Sequence, residues 1–183
     1  YARILRSLED GSHDGGILFK YPQREEYIEF VAYIQDMQTV VVARPQFPLS
    51  SFAALNNLVI ATTRGTDLSD NITLVGHFNV VELTNYEQAA EMLHKGRIDA
   101  VAGSAFVLFY QLAKNTLSEN TIDFSNKLVL GSREVWLQVS KNSPSSIDTV
   151  ALKKATEMAI ADLSYEKIMQ KYYGLNWRQI NQQ

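Results

Sequence analysis

Arg24 stands in the stretch PQREEYIEF, among Glu25, Glu26 and Glu29. A planar guanidinium matches a planar carboxylate and keeps its charge, so this residue could clamp an acid. The plainer reading is a surface arginine paired with one of those glutamates. Phe19, Lys20 and Tyr21 come just before it. They are bulky and could give a smaller or more aromatic-lined cleft, or Phe19 could pack in a core and Lys20 face solvent. Gly65 and Thr66 follow the apolar stretch NLVIATT. A glycine turn after a buried strand exposes N–H groups that favour an anion, and Thr66 could add a hydroxyl. It could also be an ordinary helix start, with Asp67 as the cap and Arg64 solvated. Ser104 follows IDAVAG, where it could contact a solute or cap the next helix.

Other chemistries lack their residues. The chain has no cysteine, which excludes disulfides, thiolate catalysis and cysteine-ligated zinc. His13, His77 and His94 lie far apart in sequence, without metal-ligand spacing. AVAGSAF lacks the second glycine of a nucleophile elbow. There is no P-loop and no Gly-x-Gly-x-x-Gly, so no cofactor is expected. Acidic neighbours such as Glu25–Glu26 and Asp10–Asp14 fit solvated turns better than an acid–base pair. A net charge of −3 gives no basic field for nucleic acid. No apolar run is long enough to span a bilayer. With 46% hydrophobic and 20% charged residues over 183 positions, the chain can build a real core, and even two small lobes.

The elements that must position these residues alternate between strand and helix. Residues 1–9 carry Ile4, Leu5 and Leu8 at helical spacing, with Gly11 as a stop. GGILF predicts a short strand, and PQREEYIEF a turn with some helix. QTVVVARP predicts a β-branched strand ended by Pro45. LSSFAAL predicts a short helix capped by Ser50 or Ser51, NLVIATT and NVVEL strands, and residues 86–95 a helix begun by TN. IDAVAG is a strand before an apolar helix over 104–114. NKLVLGSREVWLQVSK holds one or two strands, with Trp136 as a packing residue. NSPSSID opens a helix over 150–163 with serine caps, and SYEKIMQKYYG a last helix stopped by Gly174. Such alternation predicts α/β layers with largely parallel strands and sites at strand ends. The stretches near residues 40–45 and 135–141 are the candidates for crossings between lobes.

One joint occurs twice. LEDGSHDGGI and LHKGRIDAVAG share the skeleton Leu-x-x-Gly-x-x-Asp-small, through Leu8, Gly11, Asp14 and Gly15 and through Leu93, Gly96, Asp99 and Ala100. A βαβ unit used in two lobes would produce this, although a helix, a glycine stop and an aspartate before a strand are also common loop chemistry.

Taken in order, these stretches resemble the bacterial extracellular solute-binding proteins of family 3, the periplasmic amino-acid-binding type. LNNLVIATTRGT is similar to the L-x-G-K-x-I-G-V-x-x-G-T signature of that family. MLHKGRIDAV is similar to its L-x-x-G-R-x-D-A, and SYEKIMQKYYG to its C-terminal Y-x-x-I-x-x-K-Y-aromatic-G. LEDGSHDGGI, PQREEYIEF and TVVVARP resemble its first-lobe joint, its arginine segment and its first hinge strand.

The resemblance implies an α/β, type II periplasmic-binding-protein-like fold, with two three-layer αβα lobes joined by two hinge strands. It places lobe 1 at 1–43 and 141–183 and lobe 2 at 44–140. Lobe 1 would lack the β-α-β stretch that precedes this part in the family. It implies a periplasmic protein that is not an enzyme and that holds a small polar solute, an amino acid or related carboxylate, in an inter-lobe cleft. An ABC permease would be its partner; a ligand-sensing module with a signalling partner, or a superfamily enzyme such as a dehydratase, are the alternatives. The ligand-binding residues implied are Arg24, Phe19, Lys20, Tyr21, Gly65, Thr66 and Ser104. Arg24 would hold the α-carboxylate. Ser104 stands where many members place an aspartate that grips the α-ammonium, and a serine cannot neutralise that charge.

Overall fold

The computed structural model describes residues 2–64, 79–114 and 124–181, without the side chain of Ala113. They form two compact units, residues 1–37 with 133–175 and residues 38–132 with 176–183. The division falls inside two long strands, β2 (Ile28–Ala43) and β6 (Lys127–Ser140).

The second unit is built on the far half of β2 with β3 (Val59–Thr63), β4 (Asn79–Leu83) and β5 (Ala100–Ser104). The strands lie in the order β2-β5-β3-β4. β3 pairs in parallel with β4 and β5, whereas β2 runs antiparallel to β5, with Val41 opposite Ala102. Side chains alternate across a strand, so a β-branched run with both faces covered is apolar throughout. One face carries Val40, Val42, Ala61 and Val101, packed on α2 (Tyr86–His94) and α3 (Ala105–Lys114) through Ala89, Leu93, Leu108 and Leu112. The other carries Val41, Ala43, Ile60, Ala100 and Ala102, packed on Leu49 and Leu55. Asn85 caps α2, its Oδ1 accepting the Gln88 N–H at 2.8 Å. Such a cap satisfies one orphan donor, worth about 1 kcal/mol.

The first unit begins with α1 (Ala2–Glu9) and β1 (Gly15–Phe19), which pairs antiparallel with β6 from Gly15–Val139 to Phe19–Val135. The near half of β2 lies on the other side of β6. Val31, Ala32 and Val139 form a small buried cluster, with Ile147 and Leu152 packed against it. α4 (Thr149–Ala161) and α5 (Ser164–Tyr173) follow. Gly174, at φ +83°, ends α5 in the left-handed region that glycine adopts most cheaply. A short α6 (Trp177–Ile180) belongs to the second unit. The buried Trp177 ring there lies 6.0 Å from Phe106 of α3.

Several local expectations change. The strands are not largely parallel, because the long β2 and β6 run antiparallel to β5 and β1. β2 starts at Ile28, in a stretch expected to turn. Glu29 and Asp36 hide it from pattern reading; both are exposed, while Ile28, Val31 and Ala32 are buried. Residues 52–55 form a 3-10 turn. α4 is capped by Asp148, which accepts the Ala151 N–H at 2.9 Å, and not by the serines before it. A carboxylate is among the strongest N-caps, so the aspartate next to the helix takes that place.

Candidate functional site

The register of β1 against β6 assembles four of the expected site residues. Leu18 faces Trp136 and Phe19 faces Val135. The Lys20 N–H then donates to the Glu134 carbonyl at 2.8 Å, which carries the pairing one step past the strand and points Tyr21 toward Arg133. Cross-strand neighbours of this kind lie about 5 Å apart at Cβ, close enough for long side chains to interact. The Arg24 and Arg133 guanidinium carbons lie 4.3 and 4.6 Å from the Tyr21 ring centroid.

Arg24 is fixed by more than the ring. It is the last residue of a 3-10 turn, Pro22–Arg24, whose proline presets the backbone. One guanidinium nitrogen donates to the Phe19 carbonyl at 3.2 Å. The buried Gln138 donates to the same oxygen at 3.0 Å and to the Leu18 carbonyl at 2.9 Å. The carbonyl at the end of β1 therefore ties the arginine to the sheet. Held on a ring and a carbonyl, a guanidinium loses less freedom when it meets an acid.

Lys20 makes a second cation–aromatic contact. Its ammonium lies 4.4 Å from the Trp136 ring centroid, 5.4 Å from that of Phe30 and 3.6 Å from the Glu134 carboxylate. The Trp136 indole N–H donates to that carboxylate at 2.8 Å. Tyr33 and Phe30 meet Trp136 edge-on at 6.0 and 6.3 Å. Cation–aromatic contacts like those of Lys20 contribute about 0.5–2 kcal/mol each, the larger values where water is excluded. Burial first, then the charge of Asp36, raises the Tyr33 hydroxyl above its ordinary pKa, so it stays protonated near neutral pH. Trp136 is thus the packing residue expected of it and also the shelf for Lys20.

Ser104 lies in the second unit. It is the last residue of β5, half-buried, opposite Thr39 and directly before α3. A Cβ on its neighbour Gly103 would come within 2.7 Å of the Tyr86 hydroxyl, so the missing side chain is what lets this phenol reach the end of β5. Gly65 and Thr66, and Asp67 after them, lie outside the described residues. Arg64 is exposed, 4.0 Å from Glu82. Among the described residues no group of three His, Asp or Glu side chains is placed to hold a metal, and no helix is long and apolar enough to cross a membrane.

Sequence reasoning missed Arg133 and Tyr86. Arg133 is more than a hundred positions from Tyr21, and the strand register alone brings them together. The spacing reads Tyr86 as a helix residue, and it is the bare Gly103 that brings its hydroxyl into view at the end of β5.

No protein-family model matches the chain, and no curated protein matches it. Solved structures do. A P235GK mutant of ArgBP from T. maritima superposes with a TM-score of 0.70 at 19% identity, over 93% of this chain and 73% of that one. The arginine-, lysine-, histidine-binding protein ArtJ from Geobacillus stearothermophilus gives 0.72 at 17% identity, over 95% and 75%. An ancestral arginine-binding protein bound to glutamine gives 0.69 at 20% identity, over 95% and 77%. The chain therefore has the fold of these binding proteins: α/β, of the periplasmic-binding type, with the long β2 and β6 each contributing to both of its units.

Proposed function

We propose that this chain binds a small carboxylate-bearing solute, an amino acid or a related acid, outside the cytoplasm and serves an ABC-type permease. It is a binder and not an enzyme. The observation that carries the reading is Arg24, half-buried on Tyr21 and tied to the Phe19 carbonyl, in a fold shared with solved arginine- and amino-acid-binding proteins. Its guanidinium is the carboxylate clamp, and Phe19, Lys20 and Tyr21 shape the ground around it. Ser104, Gly65 and Thr66 are further contacts in this reading. Ser104 supplies a hydroxyl and no charge, so it does not answer an α-ammonium. Titration calorimetry against amino acids and small carboxylic acids tests the proposal. A binder whose affinity falls about 10- to 100-fold in Arg24→Ala, as expected for a lost charge-assisted pair, supports it. A broad panel without a binder contradicts it.

A further inference from the structure

The Lys20 ammonium sits in a corner of rings and acid. It lies over the Trp136 indole, 4.4 Å from the ring centroid, over the Phe30 ring at 5.4 Å, and 3.6 Å from the Glu134 carboxylate. The indole N–H donates to that same carboxylate at 2.8 Å, so ring and acid are held as one piece. Phe30 meets the indole at an interplanar angle of 70° and Tyr33 at 72°. The rings therefore stand as walls and not as a flat stack. Two ring faces and a carboxylate around one point are a recognition set for a cation. The Tyr33 hydroxyl, raised first by burial, feels the charges of both Asp36 and Glu134, so a second carboxylate's field reaches these rings.

Lys20 is held there lightly. Its side chain is 29% exposed and that of Glu134 51%, and an exposed ion pair adds little. A lysine ammonium is compact and strongly hydrated, and its long stem gives up rotamer freedom to stay in place. An ammonium wrapped in methyl groups spreads the same charge over a weakly hydrated surface, which suits ring faces better. The chain is still extended at Tyr21, and side chains alternate across an extended chain. This corner and the Tyr21–Arg24 contact thus lie on opposite faces of the β1–β6 pair. We propose that Trp136, Phe30 and Glu134 form a binding site for an alkylated ammonium group of a small solute, and that Lys20 is its built-in competitor, closing the site when no such solute is present. The inference goes beyond the acid clamp of Arg24 and does not depend on it.

Choline carries the charge and no acid, and 3,3-dimethylbutan-1-ol is its uncharged isostere. Calorimetry titrates each into the wild-type chain, into Lys20→Ala, and into Lys20→Ala combined with Glu134→Gln. Lys20→Ala binds choline about 10-fold or more tighter than the wild type does, and prefers it to the isostere by about the same factor. Adding Glu134→Gln removes that preference. A Lys20→Ala that binds choline no better than the wild type overturns the inference. So does equal affinity for the isostere, which would mark a merely apolar surface, and so does choline binding that ignores Glu134→Gln, which would place the cation elsewhere. Melting temperatures check that each variant folds. If Lys20→Ala does not, Lys20→Gln, which keeps most of the stem and drops the charge, takes its place. If the double variant does not, the choline-to-isostere ratio of the single variant decides. Choline has no carboxylate, so a failure here leaves the Arg24 reading standing, and an acid panel without a binder leaves this site standing.

Discussion

The joint from α1 to β1 and the joint from α2 to β5 start alike. Leu8 and Leu93 are 0% and 1% exposed, and Gly11 and Gly96 turn left-handed at φ +77° and +65°. They then part. The first glycine is pressed on main chain: a Cβ there would come within 2.1 Å of the Asn142 carbonyl oxygen. The second faces the flexible end of Arg44, at 3.2 Å. Asp14 is exposed and takes the Ser143 hydroxyl at 2.5 Å. Asp99 is half-buried; its carboxylate takes the Val59 N–H and its own N–H donates to the Val59 carbonyl, each at 2.9 Å. One local recipe ends both helices, and the segment that crosses each joint decides how much change it tolerates.

Truncating the shared leucines gives the largest effects. Leu8→Ala and Leu93→Ala each lose about 2–5 kcal/mol in urea unfolding, and a much milder result at one of them would break the likeness of the two joints. The glycines come next and should separate. Gly11→Ala loses about 2–4 kcal/mol, from left-handed strain and the overlap with Asn142. Gly96→Ala loses about 1 kcal/mol, from the strain alone. Equal losses would show that the packing above the joint does not matter.

The aspartates differ on a smaller scale. Asp99→Ala leaves the Val59 N–H without its carboxylate and costs about 1–3 kcal/mol. Asp14→Ala moves the unfolding midpoint less, because its carboxylate is exposed and bonded to one hydroxyl. The smallest effect is in acid. The Ser143 hydroxyl, and next that of Ser145, hold the Asp14 carboxyl below its ordinary pKa of 3.8, and Ser12 does the same for Asp10. A depressed carboxyl stabilises the fold above its unfolded pKa, and that contribution fades as pH falls through the folded value. The first joint should therefore lose stability below about pH 4, and Asp14→Asn should flatten that loss in a pH series of melting temperatures.

Both joints could be read from sequence because their signals are local. A glycine at a helix end and an aspartate three residues later need no distant partner to be recognised, and the strands TVVVA and LVIAT declare themselves by β-branched runs. The near half of β2 could not be read that way, since its charges break the alternation and pairing with β6 makes it a strand. The candidate site divides likewise. Arg24 and Tyr21 stand within four positions of each other, so the sequence offered them together. Arg133 joins them only through antiparallel register, which no local pattern carries.

Under the proposed function, Arg24 clamps the carboxylate of a bound solute. Calorimetric titration of the wild-type chain and of Arg24→Lys and Arg24→Ala, with the same acid, tests it most directly. Saturable binding to the wild type is expected, with weaker binding to the lysine variant, which keeps the charge but loses the fork, and a further loss with alanine. Equal affinity across all three would contradict it.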